Sequence, residues 1–363
     1  MEGVIALGVV MLVVFIILVL YWARSKITLD DRNCRRILAK NSTFPLLRNI
    51  SPENPKSQFK LRDYYIKTAY NCCASGNYKN DYVNICALTN CIKQGARCLD
   101  FEIYSVHNKP AIAVSSKNEY YMKETFNTVP FGDAMQAIWD TAFSSSGCNN
   151  PADPLLLHFR IMSQNKETYN QMAKILTNVL ETKLLDKSYS YEYNGHSIGD
   201  VPLLNFSGKV IIIVDKSLAN GIFVDTDLYE LVNLASNSEW MRILRLNDVT
   251  YTPDMNELIN FNKQRMSICM PDLATNARNI SAILPMNYGC QMVAMVFQKK
   301  DSKLIYYNKL FDEAGSAFIL KPEKLRYIPV PIEVPNPPHP SVSYASRTLS
   351  LEEDLGLPNK FRT

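Results

Sequence analysis

Residues Gly3 to Ala23 form an uninterrupted, uncharged and almost wholly apolar run, GVIALGVVMLVVFIILVLYWA. About twenty such residues cross the hydrocarbon core of a bilayer as a helix. In lipid the backbone must satisfy its own hydrogen bonds, so the run has little choice but to be helical there. It is longer than the apolar core of a secretion signal, and no small-residue cleavage site closes it. Tyr21 and Trp22 stand where an interfacial aromatic belt belongs. Arg24, Lys26, Arg32, Arg35, Arg36 and Lys40 follow, against a lone Glu2 on the other side. The positive-inside rule therefore predicts a single-pass membrane protein with its N-terminus outside and its C-terminal bulk in the cytosol.

Cysteine usage is read the same way. Cys34, Cys72, Cys73, Cys86, Cys91, Cys98, Cys148, Cys269 and Cys290 are odd in number and form no paired CxxC set. This predicts mostly free thiols in a reducing compartment rather than a disulfide framework. His107, His158, His196 and His339 show no zinc-ligand spacing to them. The sequons at Asn41, Asn49, Asn205 and Asn279 are then expected to stay unmodified. A net charge of +4, from 39 basic and 35 acidic residues, is too mild to point to nucleic acid.

Residues 24–60 read as a juxtamembrane linker, with Pro45, Pro52 and Pro55 and little periodicity. From 61 to 330, short apolar runs alternate with helical ones, which argues for a parallel α/β domain. Expected strands are Arg97–Tyr104, Ala111–Val114, Leu155–Phe159, Lys209–Val214, Met292–Gln298 and Leu304–Tyr307. Expected helices are Tyr82–Lys93, Gly132–Phe143 and Lys166–Leu185, the last with Tyr169, Met172, Ile175, Leu176 and Val179 on one stripe. Residues 331–363 are a Pro-rich, extended tail in which Ser350 and Glu353 are placed to cap one short helix.

The chemistry concentrates in Gly95-Ala96-Arg97-Cys98-Leu99-Asp100-Phe101-Glu102-Ile103-Tyr104. Alternation along a strand puts Asp100 and Glu102 on one face. Two adjacent carboxylates need a cation, a shared proton or water between them. Either a metal or acid/base site, or a structural ion pair with an arginine, answers that need.

These residues resemble the X region of the phosphoinositide-specific phospholipases C, where a strand reading R-C-x-E-x-D follows a helix and a Gly turn. Asp153-Pro154-Leu155-Leu156-Leu157 and Ser207-Gly208-Lys209-Val210-Ile211-Ile212 are similar to later strands of that region. Gly289-Cys290-Gln291-Met292-Val293-Ala294-Met295-Val296-Phe297-Gln298 resembles the Y region's G-C-Q strand. Leu310-Phe311 with Phe318-Ile319-Leu320-Lys321-Pro322 is similar to its ending. The resemblance implies a distorted TIM (β/α)8-like barrel over 61–330, X-like over 61–217 and Y-like over 225–330, with active residues at the C-terminal ends of the strands.

It also implies two catalytic histidines and a Ca²⁺ held by an Asn, an acid-x-acid pair and a further Glu. Here the pattern departs. Asn71 is kept, as is an acid pair, Asp100 and Glu102, in swapped order. The first histidine position is Tyr70, the second Val114, and the last calcium Glu aligns with Arg160. A phenol ordinarily keeps its proton to about pH 10 and valine carries none. Losing both groups removes help worth about 10²–10⁴-fold each. A guanidinium can neutralise two carboxylates without metal, so Arg160 is expected to replace the ion. His107 and His158 are the histidines that remain to rescue activity, with His158 expected on the wrong face of its strand. Ser267-Ile268-Cys269-Met270-Pro271 lacks the Arg and Tyr that grip inositol phosphates, leaving Lys209 and Lys216 as head-group candidates, Lys216 the better placed. The expected function is a membrane-anchored, inactive scaffold or structural protein whose partners are the bilayer and proteins the sequence does not identify. The alternatives are an active, calcium-dependent phosphodiesterase or a phosphoinositide head-group binder.

Overall fold

The computed structural model describes residues 2–40, 45–117, 119, 121–219 and 221–329. The expected Pro-rich tail, its Ser350/Glu353 cap and the Asn41 sequon lie outside them. Eight parallel strands form the frame: β1 (Tyr64–Ala69), β2 (Cys98–Val106), β3 (Leu155–Ile161), β4 (Val210–Asp215), β5 (Leu234–Ser236), β6 (Met241–Arg245), β7 (Met266–Met270) and β8 (Met292–Met295). Their order around the ring is β5-β4-β3-β2-β1-β8-β7-β6. Each neighbouring pair is parallel. No ladder joins β5 to β6 among the described residues, so the barrel is nearly closed, with one seam. Lys109–Ala113 and Phe318–Leu320 add antiparallel strands to β2 and β1.

Five of the expected strands lie on observed ones, at Cys98–Val106, Lys109–Ala113, Leu155–Ile161, Val210–Asp215 and Met292–Met295. Leu304–Tyr307 is not a strand but part of a helix, Ser302–Ala314. Its apolar residues Leu304, Tyr307 and Phe311 recur at three and four residues and are the buried ones, a helical period that a four-residue window hides. Strands β1, β5 and β7 carry no clean alternation, because both of their faces are covered; β6 is half-buried.

Two of the outer helices start on side-chain caps. Label α1 as Glu2–Ile27, α2 as Leu29–Lys40, α3 as Ile85–Lys93, α4 as Phe131–Ala142 and α5 as Lys166–Leu180. Asn84 accepts from the Cys86 amide to start α3, and Asn165 accepts from Glu167 to start α5. Each satisfies an otherwise orphaned donor. On α5, Tyr169, Met172 and Leu176 are buried, with Ile175 and Val179 packed beside them.

Residues 24–60 depart from the expected linker, since they hold α2. Its buried Asn33 and Ile37 recur four residues apart on one face, which the prolines further on obscured. The cysteines are mostly free, as expected, with one pair excepted. Seven are free and buried, but Cys34 of α2 is disulfide-bonded to Cys86 of α3. Spacing along the chain does not reveal such a pair, whose members are 52 residues apart. The Asn279 sequon is fully engaged. Its side-chain amide donates to the carbonyls of Val296 and Lys299 and its oxygen accepts from the Val296 amide.

Charged side chains are buried beneath the sheet as well. Lys321 is 1% exposed and donates to the Asn262 carbonyl at 2.9 Å. Burial pulls its ammonium down to about 7. The unfolded chain keeps that proton to about pH 10.4. Between these limits the unfolded state binds more protons, so this group favours the fold increasingly as pH rises. Urea unfolding of wild type and Lys321→Met at pH 7 and pH 9 checks the sign. The stability difference should shift towards wild type at pH 9; a difference that does not move with pH contradicts it. Comparing the two proteins cancels the contribution of the buried thiols other than Cys290, which feels the Lys321 charge.

Candidate functional site

The site is built at the C-terminal ends of the strands, where loops meet the barrel interior. Register decides its geometry. Asp100 pairs with His158 and Glu102 with Arg160 across β2 and β3. Side chains two apart on a strand share a face, so all four point inward together. Asn71, just after β1, completes the ring with φ +45°, a left-handed conformation that Asn tolerates better than most residues.

Arg160 occupies the centre and is 1% exposed. Its Nε donates to Asp100 Oδ1 at 2.9 Å and its Nη2 to Asp100 Oδ2 at 2.7 Å. Its Nη1 donates to Glu102 Oε1 at 2.8 Å, and Nη2 also reaches Asn71 Oδ1 at 2.8 Å. The fork therefore grips one carboxylate in bidentate fashion and touches the second carboxylate and the amide as well. Asn71 donates from its backbone to Asp100 Oδ2 and from Nδ2 to Glu102 Oε1. The other Glu102 oxygen accepts from the Tyr104 hydroxyl at 3.1 Å and the Ser115 amide at 2.9 Å.

Burial alone would raise the Asp100 carboxyl, but the Arg160 charge and the His158 hydrogen bond outweigh it and hold the group well below the usual carboxylate range. Burial likewise opposes the Arg160 charge, and Asp100 with its neighbours reverses this and raises the guanidinium further. Burial and the Glu102 charge push the Tyr104 phenol far up, so it stays a donor. A cation seeking the oxygens of Asn71, Asp100 and Glu102 would first have to displace this guanidinium. The residues present therefore do not fit a Ca²⁺ ion.

His158 corrects the sequence reading. It stands two residues from Arg160, not one, and so shares its face rather than the opposite one. Its Nδ1 lies 2.8 Å from Asp100 Oδ1 and its Nε2 2.9 Å from Ser236 Oγ. Both nitrogens are engaged in a residue that is 0% exposed. His107 instead lies in the turn after β2 with φ +50°, away from this cluster.

The two positions that the resemblance aligns with histidines have different surroundings. Tyr70 is 3% exposed and its ring lids the cluster, with the Arg160 guanidinium carbon 5.1 Å from its centroid. Such cation–π contacts are worth about 0.5–2 kcal/mol. Tyr78 meets the same ring edge-on at 5.7 Å. The Tyr70 hydroxyl accepts from Arg245 Nη1, which also donates to the Pro271 carbonyl. Val114 is buried at the end of the strand beside β2. Lys216 stands apart, 3.3 Å from Glu192 on the rim, and Lys209 donates to the carbonyls of Thr182 and Leu184. Sequence reasoning missed Tyr78, in a loop, Tyr104, within β2, and Ser236 and Arg245, at the ends of β5 and β6, since single polar residues carry no local signal.

Arg160→Met leaves two buried carboxylates without their cation. We expect a loss of about 3–5 kcal/mol in urea unfolding. Adding Asp100→Asn and Glu102→Gln should recover part of it, because the coupled charges are then removed together. Additive losses would show that the ring does not act as a unit.

Two family models match the chain in order. Phosphatidylinositol-specific phospholipase C, X domain covers residues 58–216, and Phosphatidylinositol-specific phospholipase C, Y domain covers residues 231–324. No curated protein matches it. Among solved structures, it is similar to PLC21 of L. pealei, with TM-score 0.60 and 18% identity over 75% of this chain and 38% of that one. PLC21 of S. officinalis gives TM-score 0.61 and 19% identity over the same shares, 75% and 38%. At such identities the likeness shows the fold, and this chain spans well under half the length of either. A calcium-dependent phosphoinositol-specific phospholipase C of a Gram-negative Pseudomonas sp. is more distant, at TM-score 0.46 and 10% identity over 70% of this chain and 95% of that one. With the X and Y regions both present, in sequence order and on one nearly closed parallel barrel, the chain belongs to the phosphatidylinositol-specific phospholipase C family.

Proposed function

We propose that this protein is a membrane-anchored phospholipase C-like barrel without phosphodiesterase activity, acting as a scaffold or structural membrane protein. The observation that carries the reading is the Arg160 guanidinium, hydrogen-bonded to Asn71, Asp100 and Glu102 together. By resemblance these three would hold the calcium ion of an active relative. Here a fixed organic cation meets the two carboxylates and the amide in place of a metal. With Tyr70 and Val114 at the two histidine positions, no group remains there to take the inositol 2-hydroxyl proton or to protonate the leaving oxygen at neutral pH. The lipid bilayer is the partner this reading requires, through the apolar helix over Ile5–Ile27, which is long enough to span.

An active phosphodiesterase is the second reading, and the His158–Asp100 contact is what favours it. An oriented imidazole beside a carboxylate is a familiar acid/base pair. Full burial and the Ser236 contact weigh against it, since a general base must reach the proton it abstracts. A head-group binder would need cations free to meet phosphate, and Lys216 is instead paired with Glu192.

On topology, the basic residues after the span favour a cytosolic barrel, whereas the Cys34–Cys86 bond favours an oxidising compartment. We keep the cytosolic orientation, which rests on six basic residues beside the span. Asn49 and Asn205 are both exposed sequons. A mass shift on glycosidase treatment of either would place the barrel on the other side.

The test of the proposed activity uses the full chain in mixed micelles of phosphatidylinositol and its phosphorylated forms. We expect no release of inositol phosphate with Ca²⁺ or with chelator, and no shift in melting temperature on adding millimolar Ca²⁺. Arg160→Glu should in contrast be stabilised by Ca²⁺, since it restores a third carboxylate in place of the cation. Calcium-dependent turnover by the wild type would overturn the proposal.

A further inference from the structure

The segment between the span and the barrel is not a loose tether. Helix α2 packs on the loops at the C-terminal rim through five separate ties. Asn33 Nδ2 donates to Asp81 Oδ1 at 2.7 Å in a buried contact. Asp30 accepts from Ser75 Oγ at 3.3 Å and from Asn84 Nδ2 at 2.8 Å. Cys34 is bonded to Cys86, and Ile37 is 2% exposed. Asp81 is the hub on the barrel side. It also accepts from the amides of Asn77 and Tyr82, and its carbonyl accepts from the Phe126 amide. Gly76 makes room for it, because a Cβ there would lie 2.1 Å from the Asp81 carboxylate.

The rim next to this joint is apolar and exposed. Tyr121, Met122 and Phe126 are 62%, 49% and 46% exposed, with Lys117 and Lys123 on the same segment. The end of the span touches it. Lys26, in the last turn of α1, lies 5.6 Å from the Phe126 ring centroid. The headgroup layer of one leaflet is roughly 5–8 Å deep, and a Lys at a span's end reaches up into it. A ring that close to Lys26 is within that layer whenever α1 crosses a bilayer.

We propose that α2 is a rigid clamp that holds the barrel with its C-terminal rim on the lipid surface entered by α1, the Tyr121–Phe126 segment lying at headgroup level. The inference rests on the reading that α1 spans a membrane. Its occupant is lipid because the same chain's apolar helix leaves from this rim. The barrel then has one fixed orientation instead of a swinging one, and the ring lidding Arg160 faces the bilayer side.

The test uses the full chain in phosphatidylcholine vesicles containing phosphatidylserine. An environment-sensitive fluorophore is placed, as a non-canonical amino acid, at Met122, and in a second protein at Glu53 near the opposite end of the barrel. Spin-labelled lipid should quench the Met122 probe severalfold more than the Glu53 probe. The triple change Asp30→Ala, Asn33→Ala and Cys34→Ser loosens α2 without touching the barrel, and should bring the Met122 signal down to the Glu53 level. Equal quenching at both sites, a blue-shifted Met122 probe that lipid does not quench (a second copy covering the rim), or a triple variant that quenches like wild type each overturn the proposal. Alkaline carbonate extraction separates the two claims. A chain released by carbonate refutes the spanning reading and the clamp together, whereas an integral chain with an unquenched Met122 refutes the clamp alone.

Discussion

One buried cation organises the interior of this protein. Two carboxylates on one barrel strand cannot both stay ionised in a dry site unless a positive charge meets them. Arg160 supplies it from the next strand. The parallel register that sets Glu102 opposite Arg160 and Asp100 opposite His158 is therefore fixed twice, by backbone ladders and by charge. A slip of one residue would turn the guanidinium to the outer face and strand both acids. The contacts that follow, from Asn71, Tyr104, Ser115 and the ring of Tyr70, close over this pairing.

Function follows from what that cation is. A bound metal ion accepts new ligands and polarises what it holds. A guanidinium on a covalent stem donates hydrogen bonds in a fixed fork, has almost no acidity and cannot exchange ligands. On the proposed reading, the same carboxylates are framework rather than machinery. Their charge is preserved, which is why the strand still looks like a site in sequence. The barrel keeps the fold of the phosphatidylinositol-specific phospholipases C, with a guanidinium bound between the acids at its mouth. An apolar helix long enough to cross a bilayer precedes the barrel, followed by a docked helix joined to the rim at Asp81 and Cys86.

Much of the site was legible because it lies on strands. Asp100, Glu102 and Arg160 alternate within short segments, and period two assigns their faces directly. Misplacing His158 came from counting its offset from Arg160 as one residue when it is two. Ser236 and Arg245 were invisible, because each is a single polar residue at the end of a strand too short to show a pattern. Leu304–Tyr307 misled for a related reason: four apolar-rich residues fit either period, and only the caps at Asp301 and Gly315 declare a helix.

The apolar run long enough to cross a bilayer, the alternation of strands with helices, the two regions of the family and the arginine facing the acid pair are all legible in the chain alone. Each of these is written in local periodicity, composition or ordered motifs, so neighbours along the chain suffice to read it. The enclosure of Arg160, the place of His158 in the ring, the meeting of Cys34 with Cys86 and the docking of residues 29–40 as a helix emerge in the folded barrel. Those outcomes depend on contacts between segments tens of residues apart. Their distances are set by barrel closure and register, which no local pattern encodes.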